Sequence, residues 1–115
     1  MSNILNDTKQ VLGLLETETA FDVDILMHIN TVFSVMNQLG VTLYLTRPVA
    51  ASDDWDAFVD HETINSVKTY VFLRVKLFFD PPTTGFTQAA YERQIQELEF
   101  RLNVDNDAFE HQIVS

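Results

Sequence analysis

Within residues 70–82, YVFLRVKLFFDPP, two cations stand inside an otherwise apolar run that ends at an acid and two prolines. A guanidinium or ammonium kept among bulky aliphatic and aromatic side chains needs a carboxylate partner or a route to water, so Arg74 and Lys76 are the residues whose chemistry asks for an explanation. Other chemistry-bearing residues are sparse. Asp53, Asp54 and Asp56 carry the oxygen ligands a hard cation would need, but three acids on a short turn read as a solvated, helix-capping cluster. His28, His61 and His111 are too scattered for a ligand set, and the absence of cysteine excludes disulfides and thiolate metal sites. No phosphate loop, nucleophile elbow, His-Glu-x-x-His or calcium loop is present. No catalytic residue, metal or cofactor is expected, and an enzyme would need a constellation that these residues do not make.

The elements that must position Arg74 and Lys76 follow from periodicity. Read alone, 70–79 alternates like a strand, but residues 62–68 contain no breaker, and Ile64, Val67, Val71, Val75 and Phe78 continue one helical stripe with Tyr70 and Leu77 beside it. The spacing predicts a helix over 62–79, apolar nearly all round, with Arg74 at the border of the stripe. It ends at Asp80-Pro81-Pro82 because the residue before proline is steered out of the α region. A helix of this kind has to be buried on several sides, by its own domain or by neighbours.

The clearest amphipathic pattern runs over 21–39, where Ile25, Ile29, Val32, Met36 and Leu39 recur at helical spacing, Asp22 and Asp24 favour the positive end of the dipole, and Gly40 follows as terminator. Residues 3–15 fit a short helix weakened by Gly13. After Pro82, a last helix is expected with Thr87 as N-cap, a staple between Phe86 and Tyr91, a stripe of Tyr91, Ile95, Leu98 and Leu102, and a Glu97–Arg101 pair. Residues 41–60 contain Pro48 and read as a short strand or extended loop, then one helical turn after Asp53 or Asp54. Trp55 and Phe58 share a face of that turn, where they either close over the core or dock against another copy. The fold class is mainly α: a compact bundle of about four helices, with a short extended, hairpin-like region at 41–52. Residues 1–104 form the domain and 105–115 an acidic tail, mobile when free, in which Phe109, Ile113 and Val114 are isolated apolar points able to anchor a partner.

With 115 residues, 46% of them hydrophobic, the chain is long enough for one core and too short for two ordinary domains. Its start lacks the basic and apolar runs of a signal peptide, and no stretch approaches the roughly 20 apolar residues that span a bilayer, so a soluble intracellular protein without membrane contact is expected. The net charge is −10, with nine acids against two bases in residues 1–61, five of each in 62–103, and three acids without a base in the last twelve. Such an excess opposes wrapping of nucleic acid, because phosphate binding rests on Lys and Arg. It also repels phosphates passing nearby, as the wall of a DNA conduit would.

Taken together and in order, AFDVDILMHINTVFSVMNQLGV, DDWDAFV, VKTYVFLRVKLFFDPP and YERQIQELEFRLNV resemble the small phage head-tail connector proteins, over residues 4–104. The most specific pieces are residues 21–30, 37–40, the run into Asp80-Pro81-Pro82, and 99–103; one departure is Phe100, where tryptophan is usual in this motif. The resemblance implies a structural virion protein of the neck, made in the host cytoplasm and without catalytic activity. It implies a homo-oligomeric ring of twelve copies under the portal protein, extending the DNA channel without specific DNA binding and docking a head-closure or tail protein. On that reading Trp55, Phe58, Arg74 and Lys76 are the subunit-interface candidates, with Arg74 pairing an acid across the contact, and Phe109, Ile113 and Val114 are the portal-contact candidates. Two other readings stay open: another neck component, such as a head-closure or tail-completion protein, and a small acidic host-interaction module. The second would need acids displayed on its long helices, whereas the longest apolar helix here carries cations.

Overall fold

Helix α3 (Ile64–Phe79) forms the middle of the molecule. In the computed structural model, which describes the backbone of residues 2–114 and the side chains of residues 2–103, α3 lies between α2 (Asp22–Gln38) and α4 (Gly85–Val114), which barely touch one another. The short α1 (Ile4–Val11) packs across α2 and α3. The fold is mainly helical, with no strand among the described residues. Val67, Tyr70, Val71 and Val75 of α3 are fully buried, as are Ile25, Ile29, Val32 and Met36 of α2 and Ile4 of α1, so the predicted stripes meet in one core. Each such aliphatic side chain contributes roughly 1.5–3 kcal/mol relative to exposure.

Glycines end the first two helices. Gly40 (φ +90°) follows α2, with Val41 N–H donating to Met36 C=O at 3.0 Å and Gly40 N–H to Asn37 C=O at 3.1 Å. Gly13 (φ +79°) does the same after α1, where Leu14 N–H donates to Lys9 C=O at 2.9 Å and Gly13 N–H to Gln10 C=O at 3.1 Å. Both are Schellman turns, in which a left-handed residue lets the last carbonyls find donors. α1 therefore stops at Val11, short of the expected boundary at residue 15.

The start of α4 also differs from expectation. The cap is Thr84, whose Oγ1 accepts from Thr87 N–H at 3.2 Å and whose carbonyl accepts from Gln88 N–H at 3.1 Å. Helix therefore begins at Gly85, Phe86 falls inside the first turn and is 83% exposed, and the expected staple with Tyr91 does not form. Ile95 and Leu102 are buried as expected and Arg101 pairs with Glu97 at 3.1 Å, but α4 continues to Val114, through the segment expected as a separate tail.

Residues 41–60 form an extended loop stitched to the bundle by polar contacts that bridge distant segments. The Asn30 side chain pairs with Val49 in both directions, Nδ2 donating to its carbonyl at 3.1 Å and Oδ1 accepting from its N–H at 2.7 Å. Isolated bridges join Leu43 to Val59 and Asn3 to Asp54, and Trp55 Nε1 donates to Asp7 Oδ2 at 2.9 Å. The turn after Asp54 is a single 3-10 turn, Trp55–Ala57. Asp54 makes no capping bond there; the capping role expected of this acidic cluster falls instead to Asp53 in the preceding turn, where its carboxylate accepts from Ala50 N–H at 2.7 Å and takes a bidentate clasp from Arg47 at 2.6 and 2.7 Å.

Lys9 is the one charged side chain drawn fully inside among the described residues, at 1% exposure. Its ammonium lies 2.9 Å from Asp22 Oδ1 and donates to Glu16 C=O at 3.0 Å, tying α1, the 12–21 loop and the start of α2 together. The Asp22 contact is one of charge with charge, since that oxygen gains no well-aligned hydrogen bond.

Two outcomes follow. Lys9→Ala strips the counter-charge from a partly buried carboxylate and should lower stability by about 3 kcal/mol, with Lys9→Met losing less because it refills the stem; urea unfolding measures both. The Asp53 carboxyl is held down to about 2 from 3.8, first by Arg47 and then by the Ala50 N–H. Its contribution is complete above its unfolded value and is lost as pH falls through the folded one. The urea midpoints of wild type and Asp53→Asn should accordingly converge as pH drops from about 4 toward about 2, and a gap that stays constant over that window would contradict the assignment.

Candidate functional site

The two cations of α3 end in different environments. Tyr70 is fully buried and donates its hydroxyl to Glu99 Oε2 of α4 at 2.7 Å; burial, and then the Glu99 carboxylate, push the phenol well above its usual value. One turn on, the Arg74 guanidinium lies over the Tyr70 ring at 5.7 Å and the Phe78 ring at 5.8 Å. Two aromatic faces partly replace the water this cation has lost. Its Nε, however, is buried with no acceptor, and Arg74 forms no ion pair among the described residues. Lys76 is partly exposed and has no ion-pair partner among them either.

Of the grooves beside this helix, Phe78 lines two. The smaller, about 270 Å³, lies between α3 and α4 and is lined by Arg74, Leu77, Phe78, Glu92, Ile95, Gln96 and Glu99. The larger, about 600 Å³, lies at the seam of α2 with the C-terminal end of α3 and is lined by Phe21, Asp24, Met27, His28, Thr31, Phe78 and Phe79. Phe78 stacks on His28 with ring centroids 5.4 Å apart and planes 11° apart, and Phe21 meets Phe79 edge-on at 5.4 Å. Despite these contacts Phe21, Met27 and Phe78 remain 45%, 64% and 52% exposed. These side chains leave a run of apolar surface open beside α3.

Trp55 and Phe58 belong elsewhere. Both are 1% exposed and join Phe33 and Phe72 in an aromatic cluster, with ring separations of 5.8–6.2 Å. They close over the chain's own core and leave almost no side-chain surface for a second copy. Lys68 and Arg47 cap that cluster, their charged ends 5.7 Å from the Trp55 ring and 5.2 Å from the Phe58 ring. The side chains of Phe109, Ile113 and Val114 lie outside the described residues. Sequence reasoning missed Phe21 and Met27 as surface residues. The available signal was that Met27 and Phe21 fall off the core stripe of α2, on positions a helix wheel places toward solvent.

Among the described residues no group of three or more histidines and carboxylates could hold a metal ion, and no helix is long and apolar enough to cross a membrane. The arrangement offers apolar shape and isolated cations, which recognise surfaces and carboxylates. A family model described as phage connector protein matches residues 4–108. No curated protein and no solved structure matches the chain.

An Arg74→Met subunit tests the orphaned guanidinium. Methionine keeps the aliphatic packing and removes a buried N–H without an acceptor, so the isolated subunit should be unchanged or up to about 1 kcal/mol more stable. Chemical denaturation of the monomer reads this directly, and a loss above that size would mean the cation has a partner inside its own chain.

Proposed function

The chain belongs to the phage connector protein family, and on that premise we propose that it is the adaptor ring of a phage neck: twelve copies seated beneath the portal, extending its channel and presenting a docking surface to the next head-closure or tail protein. As a phage connector it is a structural component of the virion, and no catalytic role is proposed.

The observation that carries the ring reading is the end of α3. A helix apolar on nearly every side is covered by α1, α2 and α4 along most of its length, yet Phe78 and the adjoining Phe21 and Met27 remain open beside it. Assembly with further copies supplies the missing cover, as expected of head-to-tail rings in which two different faces of one subunit meet. The charge distribution supports the channel role. Both cations of residues 1–61 are engaged within the chain, Lys9 with Asp22 and Arg47 with Asp53, so that half presents acid outward. DNA would pass such a wall without being held. For the portal contact, Phe109, Ile113 and Val114 at the C-terminal end of α4 are the anchors proposed.

Purified protein mixed with the portal assembly of its own phage tests this by native mass measurement and negative-stain imaging. The expected product is a portal carrying one added ring whose copy number equals the portal's. Deleting residues 105–115 should weaken attachment and leave the far-ultraviolet circular dichroism of the remaining domain helical. A protein that never associates with the portal, and is found only at the tail end of dissociated particles, would make it a tail-completion protein instead.

A further inference from the structure

The outward face of α4 carries an aromatic and basic stripe that the core does not use. Phe86, Arg93 and Phe100 are spaced by seven residues, which aligns them along about 21 Å of helix at 1.5 Å per residue. They stand on the side opposite the buried Ile95 and Leu102, with Phe86 83% and Phe100 70% exposed. Arg93 is exposed and forms no ion pair among the described residues. On the other flank of α3 lies the groove of Phe21, Met27 and Phe78, which carries Asp24, likewise exposed and without an ion pair among the described residues.

We propose that these two surfaces are the two halves of one contact between copies of this chain: the Phe86–Arg93–Phe100 stripe of one subunit seats in the α2/α3 groove of the next, with Arg93 facing Asp24. Three observations select a second copy as the occupant. The stripe is apolar at both ends and cationic in the middle, the groove is apolar with an anionic rim, and each therefore complements the other and not itself. The α2 side of the groove, residues 21–31, runs about 15 Å along its helix, enough for a large part of the stripe. The two surfaces belong to helices on either side of α3 that scarcely meet, so no subunit satisfies both with itself and the contact propagates from copy to copy. That it closes into a ring rests on the function proposed above; that these faces meet does not.

Charge reversal tests the pairing in the full chain. Asp24→Arg and Arg93→Asp are substitutions at exposed positions: Arg93→Asp should leave thermal unfolding of the subunit unaffected, and Asp24→Arg, which sets a cation in the first turn of α2, should lower the midpoint by only a few degrees and leave the subunit folded. Each should raise the concentration for half-assembly at least about tenfold, and the double exchange should return it to within about threefold of wild type. The sign for Asp24→Arg is diagnostic. It lowers the magnitude of a net charge of −10, so simple relief of repulsion would strengthen association, whereas loss of a specific pair weakens it. Because the chain has no cysteine, a bis-maleimide linker added to an equal mixture of Met27→Cys and Phe100→Cys subunits should give a covalent dimer that neither variant gives alone. Assembly that persists through both single reversals without that dimer overturns the contact and leaves the ring reading standing. Reversals that abolish portal attachment while self-assembly persists would assign the stripe to the portal and also overturn it. A wild-type chain that stays monomeric at high concentration, with and without portal, overturns both.

Discussion

Everything in this subunit is arranged around covering α3. A sixteen-residue helix with Val67, Tyr70, Val71 and Val75 all fully buried cannot be shielded by one neighbour, so α1, α2 and α4 approach it from different sides. Tyr70 makes the requirement chemical as well as steric. A buried phenol must find an acceptor, and Glu99 of α4 supplies one at 2.7 Å. That bond acts with the burial of Ile95 and Leu102 to orient α4, which leaves Phe86 and Phe100 on the far side.

The helices were legible because their information is local. α2 announces itself by three- and four-residue spacing, and α3 is distinguished from a strand by the unbroken turn ahead of its apolar run. Boundaries were less secure where two residues of one type compete: Thr84 and Thr87 can each cap a helix, and the choice fell on Thr84, which leaves Phe86 facing water. The loop at 41–60 was not legible beyond its extended character, because what holds it is non-local. Asn3 reaches Ala51, Trp55 reaches Asp7, and Asn30 reaches Val49, over separations of 48, 48 and 19 residues. No periodicity encodes such pairs. Lys9 was hidden for the same reason, since a lysine on a short helix reads as solvated until the fold brings Asp22 and the Glu16 carbonyl around it. Of the candidate site, the border position of Arg74 could be read from the helix wheel; the burial of Trp55 and Phe58 could not, because aromatic residues on a turn pack equally well inward or against a partner.

Pairing inside the chain engages both bases of its acidic half. The two bases of the first 61 residues are engaged with Asp22 and Asp53, which leaves seven of the nine acids of that segment without an ion pair among the described residues. The cations of α3 and α4 are spread among aromatic rings, one surface pair and solvent. Sequence composition alone shows an acidic half beside a neutral half; the fold shows that each base of the acidic half is matched by an acid of the same half, which leaves its net charge unchanged and no base over to meet an acid elsewhere.

Net charge opposes the assembly proposed from the apolar surfaces. Subunits of net charge −10 repel one another beyond contact, and at physiological ionic strength the repulsion is screened over about 8 Å, so it acts mainly as surfaces close. Attraction at the exposed aromatic faces is of still shorter range and grows only once water is expelled between them. On the ring reading, free copies would associate slowly and weakly, whereas copies held side by side on a template would sit at high effective concentration, where a weak contact between neighbours suffices. For the ring proposed here, the same carboxylates that let DNA slide past also discourage copies from polymerising before a portal is there to gather them.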